Sequence, residues 1–376
     1  MKKRSLLRNA ALAGAAGLAA KTAHASTRLP KDPDNIKVGW VGTGPFSFYG
    51  HYISVINGVK LDYSPMRMKI THIWGDDYAK NFKGDQAWMD KWEKFWTSDK
   101  QSPEGIAKRD GIPTVCKDFH EMVDEVDAAM IMDYDRAYEL AEPFLRQGKP
   151  IFLTSPVAVT VQELRKILDL AAENNAAVIS GSFTAGMYDN QVSARSVKKD
   201  KMRAFFSSSW HHWFTSYAND GLEPVHWVSG GNAKKVQLIG WDGSSGYDPN
   251  GIPLSRIHIE YAAKDDNPPV QGMLTMGGYK NEGMWFRVMY DDHSVYEKRT
   301  TSSGRVSNFR DFLFMIEETF ALNKSVETPD DIMQKLKVVI AAYKSANEGN
   351  RVVDIDEVGD YRLPTVRIDK WNETPE

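Results

Sequence analysis

Short apolar runs alternate with amphipathic stretches through the first half of the chain. Each apolar run predicts a buried strand, and residues such as Leu164, Ile167 and Leu168 recur at helical spacing between the runs. Five strands are predicted, one from Ile36 up to Gly42 and the others at 70–77, 127–132, 150–154 and 177–180; the helices are predicted at 137–147 and 161–174. Strands that alternate with helices in this way indicate a parallel, doubly wound sheet.

Longer alternating strands replace this pattern after about residue 190. They are predicted at 202–210, 235–241, 256–263, 270–276 and 284–290, and two helices follow at 309–322 and 329–347. We therefore predict an α/β protein with an N-terminal Rossmann domain at 26–188 and a C-terminal α/β domain at 189–376. The second domain is expected to contain an open, largely antiparallel sheet.

The first 25 residues have the pattern of an export signal. A basic start is followed by the Ala/Gly/Leu run Ala10–Ala20 and by the small-x-small sequence Ala23-His24-Ala25. Residues 3–8 read Lys-Arg-Ser-Leu-Leu-Arg, which resembles a twin-arginine motif with lysine in the first basic position. A Sec signal or an uncleaved anchor are the alternatives, but the run is shorter than the roughly 20 residues that span a bilayer. We expect a periplasmic or otherwise exported protein.

The net charge of the mature chain disfavours anionic binding partners. Removal of residues 1–25 deletes five basic and no acidic residues, so the formal net charge changes from −3 to −8. Nucleic acid and anionic membrane surfaces are therefore unfavourable partners for the mature chain. The single cysteine, Cys116, permits no internal disulfide.

A glycine turn follows the first strand and is the first candidate site. Gly42-x-Gly44 can form the tight turn over which a dinucleotide pyrophosphate binds, with Thr43, Pro45 and Phe46 around it. The second strand ends in Asp76 and Asp77, which could hold a ribose hydroxyl and would then favour NAD over NADP. A strand, turn and helix without any ligand is the alternative.

Several further motifs share an order along the chain with one known family. They are the glycine turn, Gly111-Ile-Pro-Thr-Val115, Val126-Asp-Ala-Ala-Met-Ile131, Gly148-Lys-Pro-Ile-Phe-Leu153, and Ala341-Ala-Tyr-Lys-Ser-Ala-Asn-Glu-Gly349 followed by Val352-Val-Asp-Ile355. In this order they resemble the glucose–fructose oxidoreductase / inositol dehydrogenase (Gfo/Idh/MocA) family over essentially the whole mature chain. The resemblance implies NAD or NADP, a small-molecule carbohydrate or cyclitol substrate, and assembly into homo-oligomers.

The resemblance also places residues near the cofactor and shows a departure. Asp135, Arg136 and Tyr138 occupy the loop that in relatives passes the nicotinamide and the substrate, and Tyr138 stands where a histidine is usual. Asp133 and Asp135 are therefore cofactor candidates, although beside Arg136 they could equally form a solvated turn. Where the family has Glu-Lys-Pro, this chain has Thr154 followed by Ser155 and Pro156. Ser155 and Pro156 are expected at the cofactor, but the family's catalytic lysine is missing.

Glu223 and His226 are the main catalytic candidates. Relatives show Gly-x-His-x-x-Asp or Gly-x-His-x-x-Glu, whereas Gly221-Leu-Glu223-Pro-Val-His226 offers the acid and the imidazole in exchanged order. We expect the carboxylate to orient an imidazole that acts as general acid and base. A purely structural pair is the first alternative. In a second, His211, His212 or His258 would join them in a metal site, although we predict none.

Tyr138 and His212 complete the catalytic candidates. Tyr138 could donate a proton, and of the adjacent His211 and His212 only one can face the site. Because no nicotinamide pool is maintained outside the cytoplasm, an exported oxidoreductase would have to retain and recycle its cofactor. The competing hypothesis is a non-redox lyase, hydratase or sugar-binding protein on the same scaffold, which the missing lysine favours.

Overall fold

The computed structural model of the chain describes just over half of its residues. They are 29–42, 53, 56–58, 66–75, 102–181, 196–209, 221–223, 225–226, 229, 231–239, 255–263, 268–276, 284–300 and 305–363. The predicted signal and several predicted site residues lie outside these ranges: Thr43, Gly44, Pro45, Phe46, Asp76, Asp77 and His212. Their assignments stay predictions.

Six parallel strands form the first sheet, in the order β3-β2-β1-β4-β5-β6. The strands are β1 (Ile36–Val41), β2 (Met68–Trp74), β3 (Thr114–Val115), β4 (Ala128–Ile131), β5 (Ile151–Leu153) and β6 (Val178–Ser180). This strand order confirms the predicted Rossmann fold. The direction of winding reverses between β1 and β4, and a doubly wound sheet binds its ligand at the carboxyl ends of such a pair.

Three helices with recognisable ends connect the strands of this sheet. They are α1 (Pro103–Asp110), α2 (Ala137–Arg146) and α3 (Val161–Glu173). Ser102 caps α1 by accepting a hydrogen bond from the Gly105 amide at 3.0 Å, and Thr160 caps α3 through the Glu163 amide at 3.1 Å. The buried stripe of α3 contains the Leu164, Ile167 and Leu168 positions that the sequence pattern predicts.

Seven strands form the second sheet, in the order β12-β11-β7-β10-β9-β8-β13. The strands are β7 (Met202–Ser209), β8 (Ala233–Ile239), β9 (Ser255–Tyr261), β10 (Val270–Met276), β11 (Met284–Tyr290), β12 (Val295–Thr300) and β13 (Val353–Asp354). Every neighbouring pair is antiparallel except β7 and β10, which are parallel. The largely antiparallel sheet is therefore confirmed, and β12 and β13 are additions to the prediction.

Two long helices follow and pack on different sheets. Helix α4 (Arg305–Leu322) buries Phe312, Ile316 and Phe320 among the apolar side chains of the first sheet, although it follows the second sheet in sequence. Helix α5 (Pro329–Asn347) packs on β8 of the second sheet, where the Leu238 amide donates to Ser345 Oγ at 2.9 Å. Within the ranges given above, no helix has both the length and the apolar composition that crossing a bilayer requires.

Buried polar contacts join α4 to the first sheet. Both oxygens of Glu317 take part, because Arg67 Nε donates to Oε1 at 3.0 Å and the Arg67 amide donates to Oε2 at 2.6 Å. Just beyond the end of α4, Asn323 accepts from the Ala177 amide at 2.7 Å and donates to the Gly148 carbonyl at 3.1 Å. The position of α4 is therefore specified by directional bonds as well as by apolar contact.

Removal of the Phe312 side chain should destabilise the first sheet. Phe312 is fully buried, and its ring centroid lies 5.7 Å from that of Phe152 in an edge-on arrangement. We expect Phe312→Ala to lower the free energy of unfolding by about 3–5 kcal/mol, the usual cost of such a cavity. Leu322→Ala is the control, because Leu322 is 55% exposed on the same helix and should change stability by less than about 0.5 kcal/mol. Equal effects of the two variants in urea unfolding would contradict the assigned packing.

Candidate functional site

Gly42 marks the point where the winding of the first sheet reverses. It directly follows β1, has a φ of +103°, and its amide donates to the Trp74 carbonyl at 2.8 Å. A Cβ atom added to Gly42 would lie 3.0 Å from Cβ of Asp133, the second residue after β4. A side chain at this position would be strained and would crowd the switch point, so glycine is required here for steric reasons.

The loop after β4 is held in place by its own charges. Asp133 is buried, accepts a hydrogen bond from the Asp135 amide at 3.1 Å, and lies 3.3 Å from a terminal nitrogen of Arg136. The Arg136 guanidinium lies 5.4 Å from the centroid of the Trp74 ring. The structure therefore places Gly42, Asp133 and Asp135 together at the carboxyl edge of β1 and β4, where the predicted cofactor site lies.

The Thr154-Ser155-Pro156 segment continues this edge after β5. Thr154 and Ser155 are buried, and the Thr154 amide donates to the Ile131 carbonyl at the end of β4 at 3.0 Å. The Thr154 hydroxyl is also buried, and no hydrogen-bond partner is found for it among the residues that the structure describes. Ser155 and Pro156 are joined by a cis peptide bond. This segment thus offers a hydroxyl group in the place where the resemblance predicts a lysine.

A chain of buried polar residues leads from the same edge to Glu223. Ser180 pairs with Leu153 in the sheet, and its amide and hydroxyl donate to Glu327 Oε2 at 2.8 and 3.0 Å. The other oxygen of Glu327 accepts a hydrogen bond from the Lys335 ammonium, which also donates to Glu223 Oε1 at 2.7 Å. The exposed fractions of Ser180, Glu223, Glu327 and Lys335 are 2%, 0%, 7% and 2%, so the whole chain is shielded from water.

The charges of this cluster influence one another strongly. Burial raises the pKa of Glu223, and the attraction of Lys335 offsets only part of that rise. Burial alone would lower the pKa of Lys335, but Glu223 and Glu327 outweigh it and raise the pKa, so the ammonium stays charged. Glu223 Oε2 is buried, and no hydrogen-bond partner is found for it within the described part of the chain. Glu223 is therefore a buried acid: Lys335 donates a hydrogen bond to its Oε1 atom, whereas its Oε2 atom remains able to accept one.

His226 is held by a different carboxylate. Its Nε2 atom lies 3.2 Å from Oδ1 of Asp331, which also forms a capping box with Thr328 at the start of α5. Burial alone would raise the pKa of Asp331, but hydrogen bonds from His226 and from the Thr328 side chain and amide lower it below its ordinary value. The imidazole lies against Gly231, where an added Cβ atom would be 2.1 Å from the ring.

The predicted catalytic residues do not all lie together. Glu223 and His226 both have helical backbone, but each binds its own partner on α5, and among the described residues no direct hydrogen bond joins the two side chains. Tyr138 is the second residue of α2, where its amide donates to Glu163 at 3.2 Å and its ring lies 5.9 Å from the Lys166 ammonium of α3. It therefore lies between α2 and α3, and no contact within the described part of the chain connects it to Glu223 or His226. The catalytic roles of these residues stay predictions.

No metal centre is found within the described ranges, where no three His, Cys, Asp or Glu side chains are arranged to hold an ion. His258 lies half-buried on β9, between Ile257 and Ile259, which are buried on the opposite face. The metal-site alternative therefore has no support from His258. His211 and His212 lie outside the described residues.

Three residues of this site were not among the candidates predicted from the sequence, namely Glu327, Asp331 and Lys335. Lys335 carried a visible signal, because it is the one charged residue on the buried side of α5 and shares that side with Ile332, Leu336 and Val339. A lysine in an apolar stripe is rarely fully buried without an acidic partner. The identity of the partners could not be read from the helix pattern.

Comparison with known protein families supports a cofactor site at the carboxyl edge of the first sheet. Residues 69–182 match the GFO_IDH_MocA family, described as an oxidoreductase family with an NAD-binding Rossmann fold. The matched segment spans β2 to β6 together with the segments around Asp133 and Ser155, and the NAD-binding character of that family agrees with the expected cofactor. No curated protein matches the chain.

Solved structures share the fold of both domains. Scyllo-inositol dehydrogenase from Lactobacillus casei with bound NAD(H) and scyllo-inositol is 16% identical, with a TM-score of 0.60 over 86% of this chain and 99% of that one. Myo-inositol dehydrogenase from the same organism, in complex with NAD(H) and myo-inositol, is 13% identical, with a TM-score of 0.62 over 89% and 99%. GenD2 from gentamicin A biosynthesis, in complex with NAD, is 14% identical, with a TM-score of 0.62 over 90% and 99%. At these identities the similarity establishes the fold of the chain and nothing beyond it.

Asp331 should support the fold at neutral pH and lose this role in acid. Its folded pKa lies below the ordinary value, so its contribution is present above about pH 4 and is lost as the pH falls through the folded pKa. We expect Asp331→Ala to cost about 1–3 kcal/mol at pH 7, through the lost cap and the unpaired His226, and less at about pH 3. Asp330→Ala, at the exposed neighbouring position, should cost less than about 1 kcal/mol. A difference between the two variants that stays constant with pH in urea unfolding would refute this role.

Proposed function

We propose that this protein is an exported, NAD-dependent oxidoreductase that acts on a carbohydrate or cyclitol and retains its cofactor between turnovers. The observation that carries the proposal is the side-chain-free position of Gly42 at the β1 and β4 switch point, within a chain whose residues 69–182 match an NAD-binding oxidoreductase family. The inositol dehydrogenases of the same fold were solved with NAD(H) and an inositol, which supports a polyhydroxylated substrate.

The residues at the switch point suit a dinucleotide. Gly42 allows the tight turn that directly follows β1, and the predicted turn Thr43–Phe46 would supply backbone amides to a pyrophosphate. Asp133 and Asp135 are fixed beside it, and Ser155 and Pro156 follow the next strand. NAD bound there would accept a hydride from the substrate.

Proton transfer would then depend on residues of the second domain. The position of the family's lysine is taken by Ser155, so the nearest strand end supplies only hydroxyl groups. Glu223 has one buried oxygen, Oε2, for which no hydrogen-bond partner is found among the described residues, and through this oxygen the carboxyl group can exchange a proton with a substrate hydroxyl. His226, held by Asp331, is the second group in this segment that can exchange a proton.

The export pattern of residues 1–25 is the reason to include cofactor retention in the proposal. An exported enzyme that released NAD could not replace it, so each cycle would have to regenerate the bound cofactor. Oxidation of one sugar coupled to reduction of another achieves this, as does transient oxidation that assists elimination or hydrolysis. Transient oxidation that assists elimination would combine hydride transfer to NAD with the lyase reaction of the alternative hypothesis.

A non-redox lyase, hydratase or sugar-binding protein is the second candidate function. One observation favours it, namely the buried Thr154 hydroxyl and the absence of lysine from the Thr154-Ser155-Pro156 segment. Under this hypothesis the glycine turn would be part of the fold without binding a dinucleotide. Glu223 and His226 would act on the substrate without hydride transfer.

The proposal also includes homo-oligomers formed through the second sheet. Phe206, Met273 and Met289 alternate with buried core residues and lie half-buried on the sheet face that turns away from the core. An apolar surface of this kind suits burial against a second copy. Light scattering of the purified chain measures the assembly directly.

The purified protein should contain NAD(H). We expect mass spectrometry of the denatured protein to detect NAD(H) at close to one equivalent, and the folded protein to absorb in the reduced-nicotinamide band after addition of a substrate sugar or inositol. NAD should predominate over NADP if Asp76 or Asp77 binds the ribose. A protein that holds no dinucleotide and binds none on addition would eliminate the redox proposal in favour of the second candidate.

Gly42→Val should abolish dinucleotide binding. The added side chain would crowd Asp133 and would be strained at a φ of +103°, so we expect the affinity for NAD, measured by calorimetry, to fall by roughly 100-fold or more. Gly58→Val is a matched control, because Gly58 has a φ of +74° and nothing lies within 4 Å of an added Cβ. If both variants bind NAD equally well, the Gly42 position is not part of a cofactor site.

A further inference from the structure

The Glu223, Lys335 and Glu327 cluster contains more acid than base. Two carboxyl groups share a single ammonium group, and all three side chains are buried. Full ionisation would leave an uncompensated negative charge in a region without water, which is costly. The cluster therefore favours a state in which one of the two acids keeps a proton.

The hydrogen bonds distinguish the two acids. Glu327 accepts from three donors, which are Lys335 and the amide and hydroxyl of Ser180, so its charged form is well satisfied. Glu223 accepts from Lys335 alone, and its Oε2 atom has no hydrogen-bond partner among the described residues. The charged form of Glu327 is favoured by more bonds, and the proton is therefore assigned to Glu223.

We propose that Lys335 is a positioning residue, which together with Glu327 fixes the Glu223 carboxyl relative to the end of β6 and sets its affinity for a proton. Its ammonium group lies between the two acids and does not reach the protein surface. The lysine that relatives are expected to place after β5 is absent, and this chain instead has a lysine on α5 that acts through a carboxyl group. The inference rests on the proposed function in so far as Glu223 serves the reaction.

The charged groups around Glu223 predict opposite effects for two substitutions. Lys335 on α5 attracts the negative charge of Glu223, Glu327 before α5 repels it, and His226 on the same segment as Glu223 attracts it. Removal of the Lys335 charge should strengthen proton binding by Glu223, and removal of the Glu327 charge should weaken it. A residue that served only packing would not produce shifts of opposite sign.

The experiment titrates Glu223 directly in the full-length protein. The carbonyl stretch of a protonated carboxyl group is followed by infrared difference spectroscopy as a function of pH, and the Glu223 band is assigned by its loss in Glu223→Gln. We expect its midpoint to move up by about one pH unit or more in Lys335→Met and down by a similar amount in Glu327→Gln. Lys337→Met is the control, because Lys337 lies on the same helix, 3.8 Å from the exposed Asp356, and should leave the midpoint unchanged.

Kinetics provide a second measurement if the protein turns over a sugar or an inositol. Lys335→Met should lower kcat roughly tenfold or more with little change in KM, and the limb of the pH profile that Glu223→Gln removes should shift in the same direction as the infrared midpoint. Where Lys335→Met does not fold, the midpoint of Glu327→Gln is compared with that of the Lys335→Met/Glu327→Gln double variant, which removes both charges and should therefore titrate at a higher pH than Glu327→Gln alone.

The two readouts separate failure of this inference from failure of the proposed function. Midpoints that do not move, or that move in the same direction in both single variants, would overturn the positioning role whatever the enzyme does. Lack of NAD binding by the wild-type protein would overturn the proposed function alone, because the infrared titration needs neither cofactor nor substrate. Opposite shifts with an unchanged Lys337→Met control support the inference.

Discussion

The burial of charged groups between the two sheets is the constraint that determines how the segment with Glu223 and His226 is placed. Lys335 is fully enclosed, so its ammonium group must be matched by acids that are equally enclosed. One of these acids, Glu327, also binds the last residue of β6, and the other, Glu223, belongs to the segment that contains His226. A single helix, α5, therefore fixes the predicted catalytic segment relative to the edge of the Rossmann sheet.

Much of the fold follows from the sequence because periodicity reports burial. The strands Val270–Met276 and Met284–Tyr290 and the helix Pro329–Asn347 have the same ends in prediction and structure, since each is a long run with a strong apolar pattern. Three strands were missed. Val295–Thr300 is mostly polar, and Thr114–Val115 and Val353–Asp354 have only two residues each, so none of the three has a pattern of its own.

The candidate site was predictable only where strand order determines it. The strands β1, β4 and β5 are neighbours in the parallel sheet, and each is followed by one of the residues Gly42, Asp133 and Ser155. Because the carboxyl ends of parallel strands lie at one edge of the sheet, the strand order brings these residues to the same edge. The partners of Glu223 and His226 lie 112 and 105 positions further along the chain. No local pattern links residues at that separation, and the carboxylate that holds His226 could not be distinguished in advance from any other acid.

The path of the chain through α4 affects how the protein is made. The first sheet is complete in sequence at Ser180, yet one of its faces is covered by Phe312, Ile316 and Phe320 of a helix that follows the entire run of strands β7 to β12. During synthesis that apolar face stays uncovered until α4 has left the ribosome. A chain cut between the two sheets would lack these three side chains over that face, so we expect the Rossmann half expressed by itself to expose apolar surface and to aggregate more readily than the full chain.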